Sequence, residues 1–406
     1  MMKILLTLLL VLLTIIFFDV ITFFFLPNEY ALNFNEYRED FQRDTLAPDI
    51  GIQGPFSKGY FVKHEKRGFD NGKNKKGYHW VNGITYPIWS NSIGCFDKEH
   101  AQYEEYVYLT GDSYTWGYAP FDEKFGTVIE NLTGTQILKC GVTHTGQQHQ
   151  YDKFVEIVEQ IGILPKAIIV FYCANDIAND YAYPHSTVMD GWLVDNVGLD
   201  KDDRRVKIPE IELRRFIDKR LLDLSLRGRS LEGRTWSQRV KYFLRQYSLS
   251  AHLVKSLVEK TDSTETASAE KPSVRNLYFV DKDSNGQYRD HMDSNGQYWY
   301  GNNPKAIKNK KAVLAFKKFA TENNIPFVMV LMPFKTVYSD AKYYEQLREF
   351  LTHDGIRFID LTFHFRESHL RLRDLYWSHD GHLNPSGNKI VAEILIKELP
   401  EVFSRN

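Results

Sequence analysis

The sequence predicts an α/β fold built around a parallel sheet, and three observations carry that prediction. From Tyr106 to Tyr172, short apolar runs alternate with helical segments, a βαβ spacing that places successive strands parallel to one another. The apolar runs are short and lack a polar face, as in strands buried on both sides. The same rhythm returns from Ala306 to Leu361, so everything between is an insertion into one domain.

At the N-terminus, Ile4 to Phe18 is almost wholly apolar and the run resumes from Val20 to Leu26 after Asp19. Its 23 residues reach the roughly 20 needed to span a bilayer. No small-residue cleavage site follows in Thr22-Phe23-Phe24-Phe25-Leu26-Pro27, which argues for an uncleaved anchor over a signal peptide. Lys3 precedes the run, while Glu29, Glu36, Glu39 and Asp40 follow it with only Arg38 among them. That bias predicts a single-pass protein with a cytoplasmic N-terminus and its main domain outside the cytoplasm, as in a bacterial inner-membrane protein facing the periplasm. Asp19 is read as lying near the outer headgroups.

Residues 1–27 are therefore the transmembrane anchor and 28–105 an irregular or partly β extension, rich in Asn, Gly and aromatics, packed on the domain behind it. The first half of that domain, 106–184, contains strand Tyr106–Thr110, helix Phe125–Leu132, strand Gln136–Cys140, helix Gln147–Ile161 and strand Ala167–Tyr172. Residues 185–305 form the insertion. The second half, 306–406, contains helix Ala306–Ala320, strand Pro326–Met332, helix Tyr343–Thr352, strand Ile356–Leu361 and helix Ser386–Lys397.

Within the insertion, Trp236, Val240, Phe243, Leu244, Tyr247, Val254 and Leu257 recur at helical spacing, marking an amphipathic helix. Between Arg204 and Arg245 there are thirteen Lys or Arg against five Asp or Glu; solvated helix faces are the first reading, attraction to an acidic polymer or anionic lipid the second. Thr261–Ser273 reads as a linker. The hexapeptide Asp-Ser-Asn-Gly-Gln-Tyr occurs at 283–288 and again at 293–298, and Asn-Gly points to paired hairpin turns. Asp281, Asp283, Asn285 and Gly286 also match the first half of a calcium loop, but Met292 stands where the bidentate Glu belongs.

A formal net charge of −1 and 43% hydrophobic residues give no global field that would recruit nucleic acid. Cys95, Cys140 and Cys173 are too few for a disulfide framework; buried thiols are the first expectation and one disulfide the second. No metal site and no cofactor are expected.

The candidate site begins at Gly111-Asp112-Ser113, where the run Val107-Tyr108-Leu109 ends. A hydroxyl at the C-terminal end of a strand sits where an open α/β sheet forms its crevice, which makes Ser113 a candidate nucleophile. A serine hydroxyl needs a base and a group to orient that base. Trp377-Ser378-His379-Asp380-Gly381-His382 supplies both, because side chains two apart in an extended segment share a face. His382 would take the proton and Asp380 would fix its tautomer. Asp112 is assigned turn hydrogen bonding. Tyr114, Trp116 and Tyr118 could stack on a sugar ring or pack in the core. Asn384-Pro385 reads as the cap and first residue of the last helix.

Gly111-Asp112-Ser113-Tyr114-Thr115-Trp116-Gly117, the Asn of Cys173-Ala174-Asn175-Asp176, and Asp380-Gly381-His382-Leu383-Asn384-Pro385 together resemble the SGNH, or GDSL-type, serine hydrolases. The resemblance covers most of residues 106 to 400. It implies a flavodoxin-like three-layer α/β/α fold and an oxyanion hole formed by the Ser113 N–H, the Asn175 side chain and a glycine N–H after the second strand. In Lys139-Cys140-Gly141-Val142-Thr143-His144-Thr145-Gly146 the family register places His144, not glycine, at that donor position, with Gly146 two residues on. A backbone N–H exists at any residue but proline, so both belong to the candidate hole. Many relatives space acid and base Asp-x-x-His; here the roles fall on Asp380 and His382, the spacing of relatives that act on polysaccharide O-acetyl groups, and His379 becomes a neighbour.

The expected function is that of a membrane-anchored serine esterase or O-acyltransferase working through an acyl-enzyme on an ester-bearing substrate, with O-acetylated envelope or exported polysaccharide as the substrate class. Two alternatives stand beside it: a lipase or lysophospholipase with the basic insertion as a lid, and a non-catalytic polysaccharide-binding or assembly protein that keeps the fold.

Overall fold

The computed structural model describes residues 55–82, 84–100, 102–199, 204–227, 275–276, 304–338, 340, 342–377 and 380–403, together with 7, 10, 11, 13–19 and 236. The chain divides into two compact units, one of residues 50–218 and 273–406, the other of residues 1–49 and 219–272.

The larger unit opens with two antiparallel hairpins, β1 (Phe61–His64) with β2 (Gly68–Asn71), and β3 (Lys76–Val81) with β4 (Ile84–Trp89). Phe56, Tyr60, Phe61, Phe69, Tyr86 and Ile88 join Trp116, Tyr118 and Val142 in one buried cluster. This N-terminal segment thus buries its apolar side chains against the loops that follow the first two strands of the main sheet.

The sheet and its helices come next: β5 (Tyr106–Thr110), α1 (Ser113–Trp116), α2 (Phe125–Thr133), β6 (Gln136–Lys139), α3 (Gln147–Ile161), β7 (Ala167–Tyr172) and α4 (Asp176–Ala182). Between the two halves lie β8 (Ser186–Met189), β9 (Trp192–Asp195), β10 (Val197–Leu199), β11 (Arg205–Lys207), α5 (Glu210–Arg227) and β12 (Arg275–Asn276). The second half supplies α6 (Pro304–Glu322), β13 (Phe327–Leu331), α7 (Glu345–His353), β14 (Arg357–Asp360), α8 (Leu361–Glu367), α9 (Leu372–Leu375), α10 (Pro385–Glu398) and α11 (Pro400–Phe403).

Five strands form one sheet in the order β14-β13-β7-β5-β6, every neighbouring pair parallel. Counted in chain order this is the doubly wound arrangement 2-1-3-4-5, whose switch point lies between its first and third strands, here β5 and β7. Side chains of alternating parity feed two cores, because successive residues of a strand face opposite sides. Val107, Leu109, Ile169, Phe171, Val328 and Val330 meet Phe125 and Ile129 of α2 and Val391 and Leu395 of α10. Tyr108, Ile168 and Val170 meet Phe154 and Ile157 of α3 and Phe316 of α6, while Met329 and Leu331 meet Leu347 and Leu351 of α7. Helices thus cover both faces. Burying each such large apolar side chain contributes about 1.5–3 kcal/mol before ordering costs.

One local expectation differs from what is observed. Cys140, expected first as a buried thiol, is disulfide-bonded to Cys95, and Cys173 alone is free. The loop after β4 makes that pairing: Asn91 Oδ1 accepts the Cys95 N–H at 2.9 Å and the Ile93 N–H at 3.3 Å, folding Cys95 over the end of β6. Asn179 and Asp180 lie inside α4. Asp176 Oδ2 accepts the Cys173 N–H at 3.0 Å, which ties the first residue of α4 back to the end of β7.

In the smaller unit, residues 7, 10, 11 and 13–19 are helical and Leu10, Val11, Leu13, Ile16, Phe17 and Phe18 are exposed. Among the described residues no helix is long and apolar enough to cross a membrane. The rest of the N-terminal apolar run, the amphipathic segment from Val240 to Leu257, the linker at 261–273 and both hexapeptides lie outside the described residues, as does His379.

Candidate active site

Ser113 opens α1 immediately beyond the C-terminal end of β5, at the switch point. The turn that places it needs glycine at 111: φ is +157°, and a Cβ there would stand 2.1 Å from Thr115 Oγ1 and 2.9 Å from Phe171 Cβ. Asp112 caps the helix, its Oδ1 accepting the Tyr114 N–H at 3.0 Å. The Ser113 N–H, at the first helical residue, has no partner within the helix.

His382 Nε2 lies 2.7 Å from Ser113 Oγ, across 269 residues of sequence. Its Nδ1 lies 2.5 Å from Asp380 Oδ1, and the same oxygen accepts the His382 backbone N–H at 2.8 Å. Burial by itself would raise the Asp380 carboxyl, but the adjoining imidazole and these two hydrogen bonds hold it at about 2. Asp380 is therefore a carboxylate at neutral pH, and Ser113, His382 and Asp380 form one hydrogen-bonded chain.

The loop that carries the pair is fixed at both ends. The Trp377 N–H donates to the His382 carbonyl at 3.0 Å, and Trp377 Nε1 donates to the Tyr118 carbonyl at 2.7 Å. Asn384 caps α10, its Oδ1 accepting the Gly387 N–H at 2.8 Å, while its Nδ2 donates to the carbonyls of Arg373 at 2.9 Å and Tyr376 at 3.0 Å. The Tyr114 hydroxyl donates to the Gly381 carbonyl at 2.8 Å.

Of the aromatics that follow Ser113, Tyr114, Trp116 and Tyr118 are all buried, so core packing claims them. Tyr118 also stacks on the His382 ring. It also meets His79 edge-on, with ring centroids 4.4 Å apart. No sequence pattern singled out His79. It is fully buried among Phe56, Tyr86, Trp116 and Tyr118, neither ring nitrogen has a hydrogen-bond partner, and burial keeps it neutral by pushing its pKa well below the usual value.

The expected oxyanion donors reach different surroundings. Asn175 follows β7, and its Nδ2 donates to Asp112 Oδ2 at 3.1 Å. Asp112 thus does more than the turn bonding assigned to it: one oxygen caps the serine helix and the other holds Asn175. Burial raises its pKa. His144 has φ +67°, left-handed backbone that favours glycine, at the position where the family register calls for one. Its imidazole is turned away to Asp195, with Nε2 to Oδ1 at 2.8 Å. Gly146 caps α3 against α4: a Cβ there would lie 2.3 Å from Asp180 Oδ1, and Asp180 accepts the N–H groups of Gln147 and Gln148. Gly146 is thus occupied with helix packing.

No protein-family model matches the sequence, and no curated protein matches it. Among solved structures, the chain is similar to a protein of the lipolytic G-D-S-L family from Desulfitobacterium hafniense DCB-2, with 11% identity, a TM-score of 0.33 and coverage of 72% of this chain and 99% of that one. It is also similar to the acetyl xylan esterase Est2A from the rumen bacterium Butyrivibrio proteoclasticus, with 10% identity, a TM-score of 0.33 and coverage of 75% of this chain and 65% of that one.

Proposed function

We propose that this protein is a serine esterase or O-acyltransferase of the SGNH type, membrane-anchored and extracytoplasmic, acting on O-acetylated carbohydrate. The observation that carries the reading is the contact of His382 Nε2 with Ser113 Oγ at 2.7 Å, with ionised Asp380 behind the imidazole. Ser113 Oγ attacks the ester carbonyl while His382 accepts its proton, and Asp380 stabilises the imidazolium. The oxyanion is bound by the Ser113 N–H, the Nδ2 hydrogen of Asn175 that Asp112 does not take, and the backbone N–H of the loop at His144. Collapse of the tetrahedral species expels the alcohol, which takes the proton from His382, and leaves acyl-Ser113. Water or a sugar hydroxyl, deprotonated by His382, then attacks the acyl-enzyme and regenerates the serine.

The anchor rests on the apolar run from Ile4 to Leu26. The Cys95–Cys140 disulfide supports an oxidising compartment for the catalytic domain, since such bonds persist outside the cytosol. Acetyl specificity is tested by comparing p-nitrophenyl acetate with butyrate and longer esters, and by acetate release from acetylated polysaccharide. Acetate should be the preferred acyl group. Much faster turnover of the longer esters would point instead to a lipase.

A further inference from the structure

A second cluster of reactive side chains lies outside the triad, where His144, His185 and Asp195 converge from three segments. His144 belongs to the loop between β6 and α3, His185 immediately precedes β8, and Asp195 ends β9. One ligand atom from each residue lies within 4.8 Å of the other two. His144 Nε2 stands 2.8 Å from Asp195 Oδ1, and the two imidazole centroids are 5.0 Å apart. The β8–β9 hairpin turns at Asp190-Gly191, both at positive φ, and pairs Ser186 with Asp195. That register lets the Ser186 hydroxyl donate to Asp195 Oδ1 at 2.7 Å, so the carboxylate is oriented from its own hairpin. His185 is buried, while the side chains of His144 and Asp195 retain 27% and 18% exposure. The cluster is therefore anchored on one side and open to water on the other.

We propose that His144, His185 and Asp195 form a site for a divalent transition cation of the zinc class, with its remaining coordination position open to water. Two imidazoles and one carboxylate suit zinc, which binds nitrogen at about 2.0–2.1 Å and carboxylate oxygen at about 2.0–2.2 Å in tetrahedral geometry. Ligand atoms around such an ion stand about 3.4 Å apart, so side-chain adjustment alone closes the cluster, with the His144–Asp195 hydrogen bond giving way to the ion. Calcium takes about six to eight oxygen ligands, and both calcium and magnesium favour oxygen over imidazole nitrogen, so two histidines argue against either. The ion would tie the His144 loop to the β8–β9 hairpin. Thr143 in that loop contacts the Tyr118 hydroxyl at 3.3 Å, and Tyr118 stacks on His382, so the clamp would steady the wall beside the base.

The inference stands whether or not the protein turns over esters, because its test reads ion binding. The full chain is stripped with a chelator, then titrated with Zn²⁺ against a chromophoric competitor and with Co²⁺ followed by its visible ligand-field absorption. The wild type should bind a single equivalent and give the intense Co²⁺ bands of a four- or five-coordinate ion. His144→Asn and His185→Asn should each weaken binding by about 100-fold or more, and Ser186→Ala, which removes only the hydroxyl that orients Asp195, by about tenfold. No binding by the wild type, or tight binding kept by both histidine variants, would overturn the site. If His185→Asn fails to melt cooperatively, His144→Asn decides, since that side chain is partly exposed: an undiminished site there refutes the proposal.

Discussion

The Tyr118 ring lies against the His382 imidazole with centroids 3.7 Å apart and planes 23° from parallel. Asp380 holds one ring nitrogen and Tyr118 one face, which leaves Nε2 aimed at Ser113. Tyr118→Leu should therefore lower kcat on p-nitrophenyl acetate by about 10- to 100-fold through misplacement of the base, with little change in KM. Tyr118→Phe keeps the stacked face and should stay within about threefold of wild type. Equal losses in both variants would show that the hydroxyl, not the face, matters.

Asp380→Asn should cost about 10⁴-fold in kcat, as expected when an imidazole loses the carboxylate that sets its tautomer. Stability has its own pH signature. The Asp380 carboxyl titrates at about 2 in the fold against 3.8 when free, so its ionised form favours the native state. That contribution is complete above pH 3.8 and is lost as pH falls through about 2. Thermal melts of wild type and Asp380→Asn should therefore differ above about pH 4 and converge toward about pH 2. A gap that widens on acidification would contradict this.

Asn175→Ala should lower kcat by about 10²–10³-fold, the usual loss for one oxyanion donor. Because Asp112 Oδ2 holds the Asn175 amide, Asp112→Asn should reproduce part of that loss. The double variant should be no worse than Asn175→Ala by more than a few-fold, since coupled residues are not additive. Independent, multiplying losses would mean that Asp112 acts only through the serine helix.

The Cys95–Cys140 bond closes a separation of 45 residues and leaves Cys173 reduced. Reduction, or Cys95→Ala with Cys140→Ala, should cost about 2–4 kcal/mol in urea unfolding. Peptide mapping without reductant should recover the 95–140 pair. Unchanged unfolding midpoints with and without reductant would contradict it.

The elements most legible in the sequence are the short continuous apolar runs and the helix between them. Tyr106–Thr110, Gln147–Ile161 and Ala167–Tyr172 have the same bounds in the fold as in the pattern: the two strands are buried at every residue, and the helix buries one face. The Asp380-x-His382 spacing was readable for a similar reason, since both groups share one short segment. What depends on tertiary approach was not. Cys95 and Cys140 meet because one loop folds over another strand's end, and nothing at either position marks its partner. His79 becomes part of the site only through aromatic packing. His185 and Asp195 had a local clue, the Asp190-Gly191 turn between two short strands, which predicts a hairpin and hence their proximity. His144 stands out in the sequence as a departure from glycine, but its contact with Asp195 comes from a separate segment 51 residues away.

The central claim is that Ser113 is a nucleophile activated by His382. A fluorophosphonate probe applied to the folded protein, with the adduct located by mass spectrometry, tests it most directly. Labelling should fall on Ser113, vanish in His382→Ala and persist in His379→Ala. An unlabelled Ser113 in well-folded protein, or labelling undiminished in His382→Ala, would contradict it.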